Sequence, residues 1–148
     1  MLYPNLPKPQ PRRYSIPNEI MILGISAGAI AVYNYLLYVE DRKTYQCYPS
    51  YKTIGKALKI KSKGTVAKYV RELEDKCLIY TEPTEVILKD GKKRNGNLKY
   101  TIRPIQDALE HFYHEQMQEN ALAMQREKVA EMLKESGLKP VPAALVTP

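Results

Sequence analysis

The chain has 148 residues, and its 23 Lys and Arg residues against 16 Asp and Glu residues give a formal net charge of +7 at pH 7. This length holds one domain with an extension and excludes a second large catalytic domain. The charge favours a polyanionic partner and is unevenly placed, because residues 1–103 contain 19 basic and 9 acidic residues whereas residues 104–148 contain 4 and 7.

The first segment, residues 1–13, is rich in proline and ends in two arginines. Its prolines are Pro4, Pro7, Pro9 and Pro11. They prevent a helix and predict an extended, flexible basic arm. Such an arm either reaches DNA or is disordered in the free protein, and the shortage of apolar anchors favours disorder. The segment lacks the apolar core of a signal peptide, and no apolar run approaches the roughly 18 residues of a membrane span.

A first helix is predicted from Ser26, whose hydroxyl group can cap it, to about Glu40. Its buried stripe is predicted to consist of Ile30, Tyr33, Leu37 and Val39. A short strand or extended segment is predicted before it, over residues 14–16, and a short strand after it, over residues 45–48. This helix is the first of a predicted three-helix core.

Residues 49–80 predict two further helices joined by a tight turn. Two apolar sets recur at helical spacing, namely Ile54, Ala57 and Leu58 before the turn, and Val66, Tyr69, Val70 and Leu73 after it. Ser50 and Ser62 precede the two sets, where their hydroxyl groups can accept hydrogen bonds from first-turn amides. The short turn over residues 59–61 requires a steep crossing, and Gly55 is explained if the crossing helix approaches it closely.

The same segment concentrates positive charge. Between Ser50 and Arg71 there are seven basic residues and no acidic one: Lys52, Lys56, Lys59, Lys61, Lys63, Lys68 and Arg71. When the second apolar set is buried, helical geometry directs the other side of the helix toward solvent. The residues on that side are Lys63, Gly64, Thr65, Lys68 and Arg71. This is the pattern of a helix-turn-helix whose second helix reads DNA, and a merely solvated cationic face is the alternative.

A β-hairpin is predicted directly after these helices. Residues 78–82 and 98–103 read as strands, and residues 89–97 (KDGKKRNGN) contain Asp-Gly and Asn-Gly turn signals. Three consecutive cations, Lys92, Lys93 and Arg94, are predicted at the tip of this wing, where they can touch phosphate or enter a minor groove. Charge that serves only solubility is the alternative for a hairpin tip.

The last segment, residues 105–148, predicts one long helix that begins at Ile105, ends near Ser136 and is followed by a tail. Its later apolar residues do not keep a clean heptad, so a regular coiled coil is not predicted. Because an isolated polar-rich helix of this length is marginal in water, a partner surface is predicted to cover it, most simply a second copy of the chain. Fraying of the free helix is the alternative.

No catalytic or metal site is predicted. His111 and His114 lie three residues apart without a convincing third ligand. Cys47 and Cys77 lack the spacing of a disulfide framework or a zinc site, which predicts reduced thiols. The sequence also lacks a Gly-rich phosphate-binding loop and a base or metal that would activate a tyrosine. We therefore expect neither enzymatic activity nor a cofactor.

Residues 15–105 resemble the winged helix-turn-helix family found in bacterial transcription regulators and in the N-terminal domains of plasmid and phage replication initiators. The resemblance is carried by SIPNEI, SAGAIAVYNYLL, CYPSYKTIGKAL, KSKGTVAKYVRELEDKCLI, and the wing KDGKKRNGN with YTIRPI. The expected fold is mainly α with a small β-hairpin wing. A winged helix-turn-helix domain is expected over residues 14–104, and a long C-terminal helix with its tail over residues 105–148.

Two residues depart from the family pattern. Related sequences usually have Gly where this chain has Lys59 in the turn and Cys77 after the second helix, and both positions favour positive φ. Either the local geometry differs here or the domain keeps a strained turn, which costs about 1 kcal/mol at each site. Gly64 inside the second helix lowers helix propensity by about 1 kcal/mol relative to Ala. Close approach of DNA to the backbone or neutral drift would explain it.

The predicted function is sequence-specific binding of double-stranded DNA by a cytoplasmic, nucleoid-associated homodimer, as a transcription regulator or a replication-initiator-like protein of a bacterial mobile element. Lys63 and Thr65 are the predicted base readers. The other predicted contacts, mainly to phosphate, are Lys52, Thr53, Lys61, Ser62, Lys68, Arg71, Lys92, Lys93 and Arg94. The alternatives are an adaptor that binds another protein of a replication or conjugation complex, and non-specific coating of DNA.

Overall fold

The computed structural model describes residues 13–137. The predicted arm, apart from Arg13, and the predicted tail therefore lie outside the described residues. The chain divides into two compact units, Met1–Leu109 and Glu110–Pro148. The first unit holds the predicted helix-turn-helix and wing, and the second holds most of the long C-terminal helix.

Four α-helices follow one another along the chain: α1 (Ala27–Val39), α2 (Tyr51–Leu58), α3 (Lys63–Asp75) and α4 (Ile105–Glu135). A short 3-10 helix, Asn18–Ile22, precedes α1. The predicted cap of the first helix is confirmed, because Ser26 Oγ accepts a hydrogen bond from the Ala29 amide at 3.3 Å. Residues 14–16 are irregular, without strand pairing.

The core of the first unit lies where α1 and α2 pack against α3. Three of its members, Val66, Val70 and Leu73, project from α3 and are buried as their spacing predicts. The side chain of Glu72 ties α3 to the start of α1, since the Ser26 hydroxyl group donates to its carboxylate at 2.6 Å. Burial of these aliphatic side chains contributes on the order of 1.5–3 kcal/mol each relative to exposure.

The predicted stripe of α1 is wrong by about one residue. Tyr33 is buried, but its fully buried neighbours are Ala29, Val32 and Leu36, whereas Ile30, Leu37 and Val39 are half-buried. The reason is the close crossing of α1 with α3, where a Cβ atom built on Gly28 would lie 2.1 Å from Cζ of Tyr69. At this crossing Gly28 faces the Tyr69 ring, and the residues that follow it on the same side of α1 are the buried ones.

Two further details of the helical pair differ from expectation. Ala57 is exposed, because α2 has only eight residues and buries Ile54 and Gly55. Gly55 is required by the turn rather than by the crossing helix, since an added Cβ would lie 2.7 Å from the Ile60 carbonyl oxygen but 3.6 Å from Cγ2 of Val66.

The turn between α2 and α3 contains a non-glycine residue with positive φ. Lys59 ends α2 in the left-handed region with φ 60° and ψ 34°, and Cys77 after α3 also has φ 60°. The Ile60 amide donates to the Gly55 carbonyl at 2.8 Å, which closes the turn. A non-Gly residue in this region is disfavoured sterically, so the domain tolerates strain at both positions.

Relief of that strain gives a stability prediction. We expect Lys59→Gly to raise the free energy of unfolding by about 1 kcal/mol, because Gly adopts positive φ without the steric penalty. Lys56→Gly is the matched control, since the same substitution inside α2 should lower stability by about 1 kcal/mol. Urea denaturation of both variants measures the two signs. A lower stability for Lys59→Gly than for the wild-type chain would contradict the assignment of strain to this residue.

Five strands follow the chain as β1 (Gln46–Cys47), β2 (Ile79–Glu82), β3 (Glu85–Ile87), β4 (Lys93–Asn95) and β5 (Lys99–Ile102). One antiparallel sheet has the order β1-β5-β2, with Glu82 opposite Lys99 and Tyr80 opposite Thr101. A second two-stranded sheet, β3-β4, continues the hairpin outward. The predicted small wing on a mainly helical fold is thus confirmed.

The strand before α2 is shorter than predicted. Tyr45 has φ 59°, and its amide donates to the Asp41 carbonyl at 2.7 Å, so it belongs to the turn after α1. Tyr48 likewise lies outside the ladder, which contains only Gln46 and Cys47. The Tyr45 carbonyl still accepts from the Ile102 amide at 2.9 Å, which attaches this turn to β5.

Glu40, at the end of α1, gives a prediction for pH dependence. Among the described residues, its Oε2 atom is buried without a hydrogen-bond partner. Burial raises the pKa of this carboxyl group, and nearby Arg42 opposes the shift only in part. In the folded state the group therefore retains a proton that the unfolded chain has already released. Stability due to this group falls as the pH rises through the window between the two pKa values.

We accordingly expect Glu40→Gln to be more stable than the wild-type chain at pH 7, with the difference shrinking as the pH falls toward the ordinary Glu pKa of about 4.3. Urea denaturation at pH 7 and near pH 4 measures this. Glu119→Gln, at an exposed position of α4, controls for loss of one negative charge. A stabilisation that is equal at both pH values would contradict the role of burial.

The second unit consists, in its described part, of the continuation of α4. The helix has 31 residues and ends at Glu135, close to the predicted end. Inside it, His111 Nε2 pairs with Glu115 Oε1 at 3.0 Å, and His114 shares a hydrogen bond with Gln118 at 3.1 Å. Over residues 13–137, no helix combines the length and apolar character needed to cross a membrane.

Candidate nucleic-acid interface

The candidate interface starts from the two capped helices α2 and α3. Ser50 Oγ accepts a hydrogen bond from the Thr53 amide at 3.0 Å, and Ser62 Oγ accepts from the Thr65 amide at 3.4 Å. Each cap satisfies an amide that the first helical turn leaves unpaired, and it fixes where the helix begins. The starts of α2 and α3 are therefore set by the residues that the sequence indicates.

The exposed side of α3 and the turn just before it carry a cluster that we call the cationic face. It consists of Lys61, Lys63, Lys68 and Arg71, all of which are exposed. Ser62 and Gly64 are exposed beside it, whereas Thr65 is half-buried. Because buried side chains occupy the opposite side of the helix, this face is directed toward solvent.

The acidic residues of α3 do not neutralise the cationic face. Glu72 accepts hydrogen bonds from Ser26, and Glu74 accepts from the Thr81 hydroxyl group at 2.7 Å. These two carboxylates are thus engaged toward the rest of the domain, and the third acidic residue of α3, Asp75, is exposed. Within residues 13–137 no salt bridge joins an acid to the cationic face. Its positive charge is available to an external anion.

The start of α2 lies next to the start of α3 and the base of the wing. A cleft of about 250 Å³ is lined by residues of all three, including Ser50, Lys52, Lys63 and Asn97. The Asn97 side-chain amide donates to the Tyr48 carbonyl at 3.1 Å, which holds the wing base against the segment before α2. The structure therefore brings two predicted contact residues, Lys52 and Lys63, to one cleft.

Thr53 lies beside this cleft in the first turn of α2 and is exposed. Its hydroxyl oxygen is 2.8 Å from Ser50 Oγ, so one of the two hydroxyl groups donates to the other. A hydroxyl group that accepts at a cap can still donate its proton to a phosphate oxygen. Ser62 keeps this capacity while it caps α3, and one of Ser50 and Thr53 keeps it, since the other donates its proton within the pair.

The wing differs from the predicted single loop. Lys93 and Arg94 lie on β4, opposite Ile87 and Val86, and not at the tip. The tip is the turn after β3, closed by the Leu88 amide, which donates to the Lys92 carbonyl at 2.9 Å. Only Lys92 of the three predicted cations lies there. The loop prediction failed because residues 93–95 pair with residues 85–87 and form a second, short antiparallel ladder.

The cations along the outer wing also differ in how freely they can attract an external anion. Lys93 Nζ is 3.8 Å from Glu85 Oε2 across the ladder, in a pair that is largely exposed. Exposed pairs of this kind contribute about 0–1 kcal/mol, so the pair weakens the attraction of Lys93 for an anion without abolishing it. Arg94 and Lys92 are exposed, and no salt bridge to either occurs in the part of the chain that the structure describes.

Two residues of the candidate interface were missed. Lys89 is exposed in the turn at the wing tip, and the Asp-Gly signal that follows it marks this turn. Asn97 fixes the wing base through the Tyr48 carbonyl. Nothing in the sequence pattern pairs residues 48 and 97, because the contact depends on how the two sheets join.

One of the two cysteines, Cys47, is buried in this domain. Burial raises the pKa of the Cys47 thiol to about 12, and the negative charge of Glu40 adds to the shift. The thiol therefore stays protonated at neutral pH and is a poor nucleophile. Among residues 13–137, no three His, Cys, Asp or Glu side chains are grouped so that they could hold a metal ion.

The sequence of this region matches one family model. Residues 23–79 match the family model described as a helix-turn-helix domain. One solved structure that the chain matches is a possible transcriptional regulator from Methanosarcina mazei Go1, at 17% identity, with 78% of this chain and 82% of that chain covered and a TM-score of 0.42. The comparison with curated proteins found no match.

Proposed function

We propose that this chain, which carries a DNA-binding helix-turn-helix domain over residues 23–79, is a sequence-specific double-stranded DNA-binding protein. It serves as a transcription regulator or as an initiator-like protein of a bacterial mobile element, and its output is occupancy of a promoter or origin without a chemical reaction. The observation that carries the proposal is the cationic face of α3, which is exposed, unneutralised within residues 13–137 and adjacent to the capped start of α2.

In the proposed complex the first turns of α3 enter a major groove. Lys63 and Thr65 contact base edges, and the half-buried Thr65 presents only part of its side chain to the groove. Phosphate contacts come from the rest of the cationic face together with Ser62, and from Lys52 and Thr53 at the start of α2. These contacts set the register of the helix on the duplex.

The wing supplies the flanking contacts. Lys92 at the tip is best placed to reach a minor groove or a more distant phosphate, whereas Lys93 and Arg94 present their charge along β4. Because Lys93 already has an acidic neighbour at 3.8 Å, Arg94 is expected to contribute more than Lys93. Arg also suits phosphate geometry better than Lys.

The protein is proposed to act as a homodimer through α4. Tyr113, Met117, Met124 and Met132 are all more than half exposed on this helix. Tyr113 and Met124 are separated by eleven residues, as are Ala121 and Met132, which corresponds to three helical turns and aligns them on one side. A dimer would cover this stripe and place two copies of α3 on one duplex. Sedimentation equilibrium of the full chain, with Met117→Lys as the disrupting variant, tests the pairing.

The DNA-binding proposal is tested by the salt dependence of binding of the full chain to a duplex of about 30 base pairs. Each neutralised phosphate contributes about −0.9 to the slope of log K against log salt, so we expect a slope of about −5 or steeper. A single strand of the same length and composition is the control for duplex preference. Absence of duplex binding at low salt would instead favour an adaptor that binds another protein.

A further inference from the structure

The outer wing, residues 85–95, exposes apolar side chains that the proposed phosphate contacts leave unexplained. Every residue of this segment is exposed, and its ladder, β3-β4, is separate from the three-stranded sheet. Three consecutive residues are nonetheless apolar, since Val86, Ile87 and Leu88 are 49%, 72% and 38% exposed. A two-stranded hairpin alone is only marginally stable in water, and contiguous exposed apolar groups mark contact surfaces.

The register of this ladder places apolar side chains beside cations. Ile87 lies directly opposite Lys93, and Val86 lies opposite Arg94. Because successive side chains of a strand point to opposite faces, each face of the ladder combines an apolar group with a positive charge. Residues 85–95 contain four basic and two acidic residues in total. The outer wing therefore suits a partner that is anionic and offers an apolar contact at the same place.

The two apolar side chains of β3 differ in what they contact. A Cβ atom built on Gly96 would lie 3.0 Å from Cγ2 of Val86, so Val86 lies against the base of the wing. Ile87 is 72% exposed, more than any other Val, Ile or Leu side chain among the described residues. Strand propensity does not require an apolar residue there, because Thr favours strands as well. Ile87 is thus the apolar side chain that the wing offers to a partner.

Hydrogen bonds at the base of the wing attach the outer ladder to the rest of the domain. The Gly96 amide donates to the Thr84 carbonyl at 2.8 Å, and the Thr84 hydroxyl group donates to the Asn97 carbonyl. The Asn97 side chain in turn donates to the Tyr48 carbonyl at 3.1 Å. This base lines the same cleft as the starts of α2 and α3. The outer wing is therefore continuous with the surface proposed to bind DNA.

We propose that Ile87 inserts as an apolar wedge between two base pairs in the minor groove beside the α3 site and kinks the duplex. This inference rests on the proposed DNA-binding function. Proteins that bind the minor groove insert Ile and similar side chains between base steps and bend DNA by about 20–90°. Lys92 and Arg94 contact the flanking phosphates, which offsets the cost of unstacking. Because pyrimidine–purine steps kink most readily, the wing adds a preference for such a step.

Methyl nuclear magnetic resonance of the full chain with a duplex of about 20 base pairs tests the contact. We expect nuclear Overhauser effects between the Ile87 methyl groups and adenine H2 protons, which lie in the minor groove, and none from Ile22. If the amide signals of Lys63 and Lys68 shift on binding but the Ile87 methyl signals do not, the wedge is overturned while DNA binding stands. The apolar wing would then belong to a protein interface. Absence of any shift would overturn DNA binding and the wedge together.

Bending is measured by energy transfer between dyes at the two ends of the same duplex. A bend of about 60° near the centre would shorten the end-to-end distance from about 68 Å to about 59 Å. We expect this shortening with the wild-type chain and with Ile22→Thr, but not with Ile87→Thr. Thr keeps the branched shape and strand propensity of Ile, and Ile22 is a matched position because it is 51% exposed on the 3-10 helix. A duplex that Ile87→Thr bends as much as the wild-type chain does would overturn the wedge.

Discussion

Replacing Lys68 and Arg71 together with Ala is expected to weaken binding to every duplex by about 100-fold or more. A charge-assisted hydrogen bond contributes about 1.5–3 kcal/mol, which corresponds to roughly 10- to 150-fold in Kd for each contact. Both side chains are exposed on the cationic face without an internal acidic partner among residues 13–137. The loss should affect all sequences alike, because phosphate contacts carry no base information.

The salt dependence identifies the mechanism of that loss. Removing two phosphate contacts should make the slope of log K against log salt less negative by about 2. Arg126→Ala/Lys134→Ala is the matched control, since it removes one Arg and one Lys from exposed positions of α4. Circular dichroism verifies folding of both variants. If the control weakens binding as much as Lys68→Ala/Arg71→Ala, net charge rather than the cationic face drives association.

Gly55→Ala is expected to lower the free energy of unfolding by about 1–3 kcal/mol, as overpacked buried sites do. The new Cβ atom would lie 2.7 Å from the Ile60 carbonyl oxygen, which is backbone and belongs to the turn before α3. Relief of this contact must move the turn and hence the first residues of α3. We therefore expect DNA affinity to fall together with thermal stability, as measured by thermal denaturation and duplex titration.

Gly64→Ala is the matched control and should have the opposite effect on stability. Only Ser62 Oγ lies near an added Cβ, at 3.5 Å, so the methyl group fits and helix propensity rises by about 1 kcal/mol. If DNA approaches the backbone at Gly64, affinity should nevertheless fall while stability rises. A variant that is more stable and binds DNA as well as the wild-type chain would contradict insertion of this part of α3 into the groove.

The helix-turn-helix could be predicted because its signals are local. Ser50 and Ser62 cap helices within three residues, and the spacing of Val66, Val70 and Leu73 decides which side of α3 is buried. These interactions depend on helical geometry alone, so tertiary context did not change them. The exposure of the cationic face follows directly from the same spacing.

The errors lie where distant parts of the chain meet. The orientation of α1 depends on the close approach of Gly28 to Tyr69, which the spacing of apolar residues in the sequence does not reveal. The wing contains a second ladder because Val86 and Arg94 pair across it, so a stretch of turn-forming residues became β4. Tyr45 has positive φ because residues 41–45 form a turn that β5 holds in place. The first and third cases need contacts between residues far apart in sequence, whereas the second ladder joins strands that are close in sequence through residues typical of turns.

Selection of bound duplexes from a random pool by the full chain at near-physiological salt tests the central claim most directly. The bound fraction is sequenced and compared with the input pool. We expect enrichment of an inverted repeat whose half-sites are about one helical turn apart, as a dimer presenting two α3 helices requires. A bound pool with the same sequence composition as the input would contradict sequence-specific recognition.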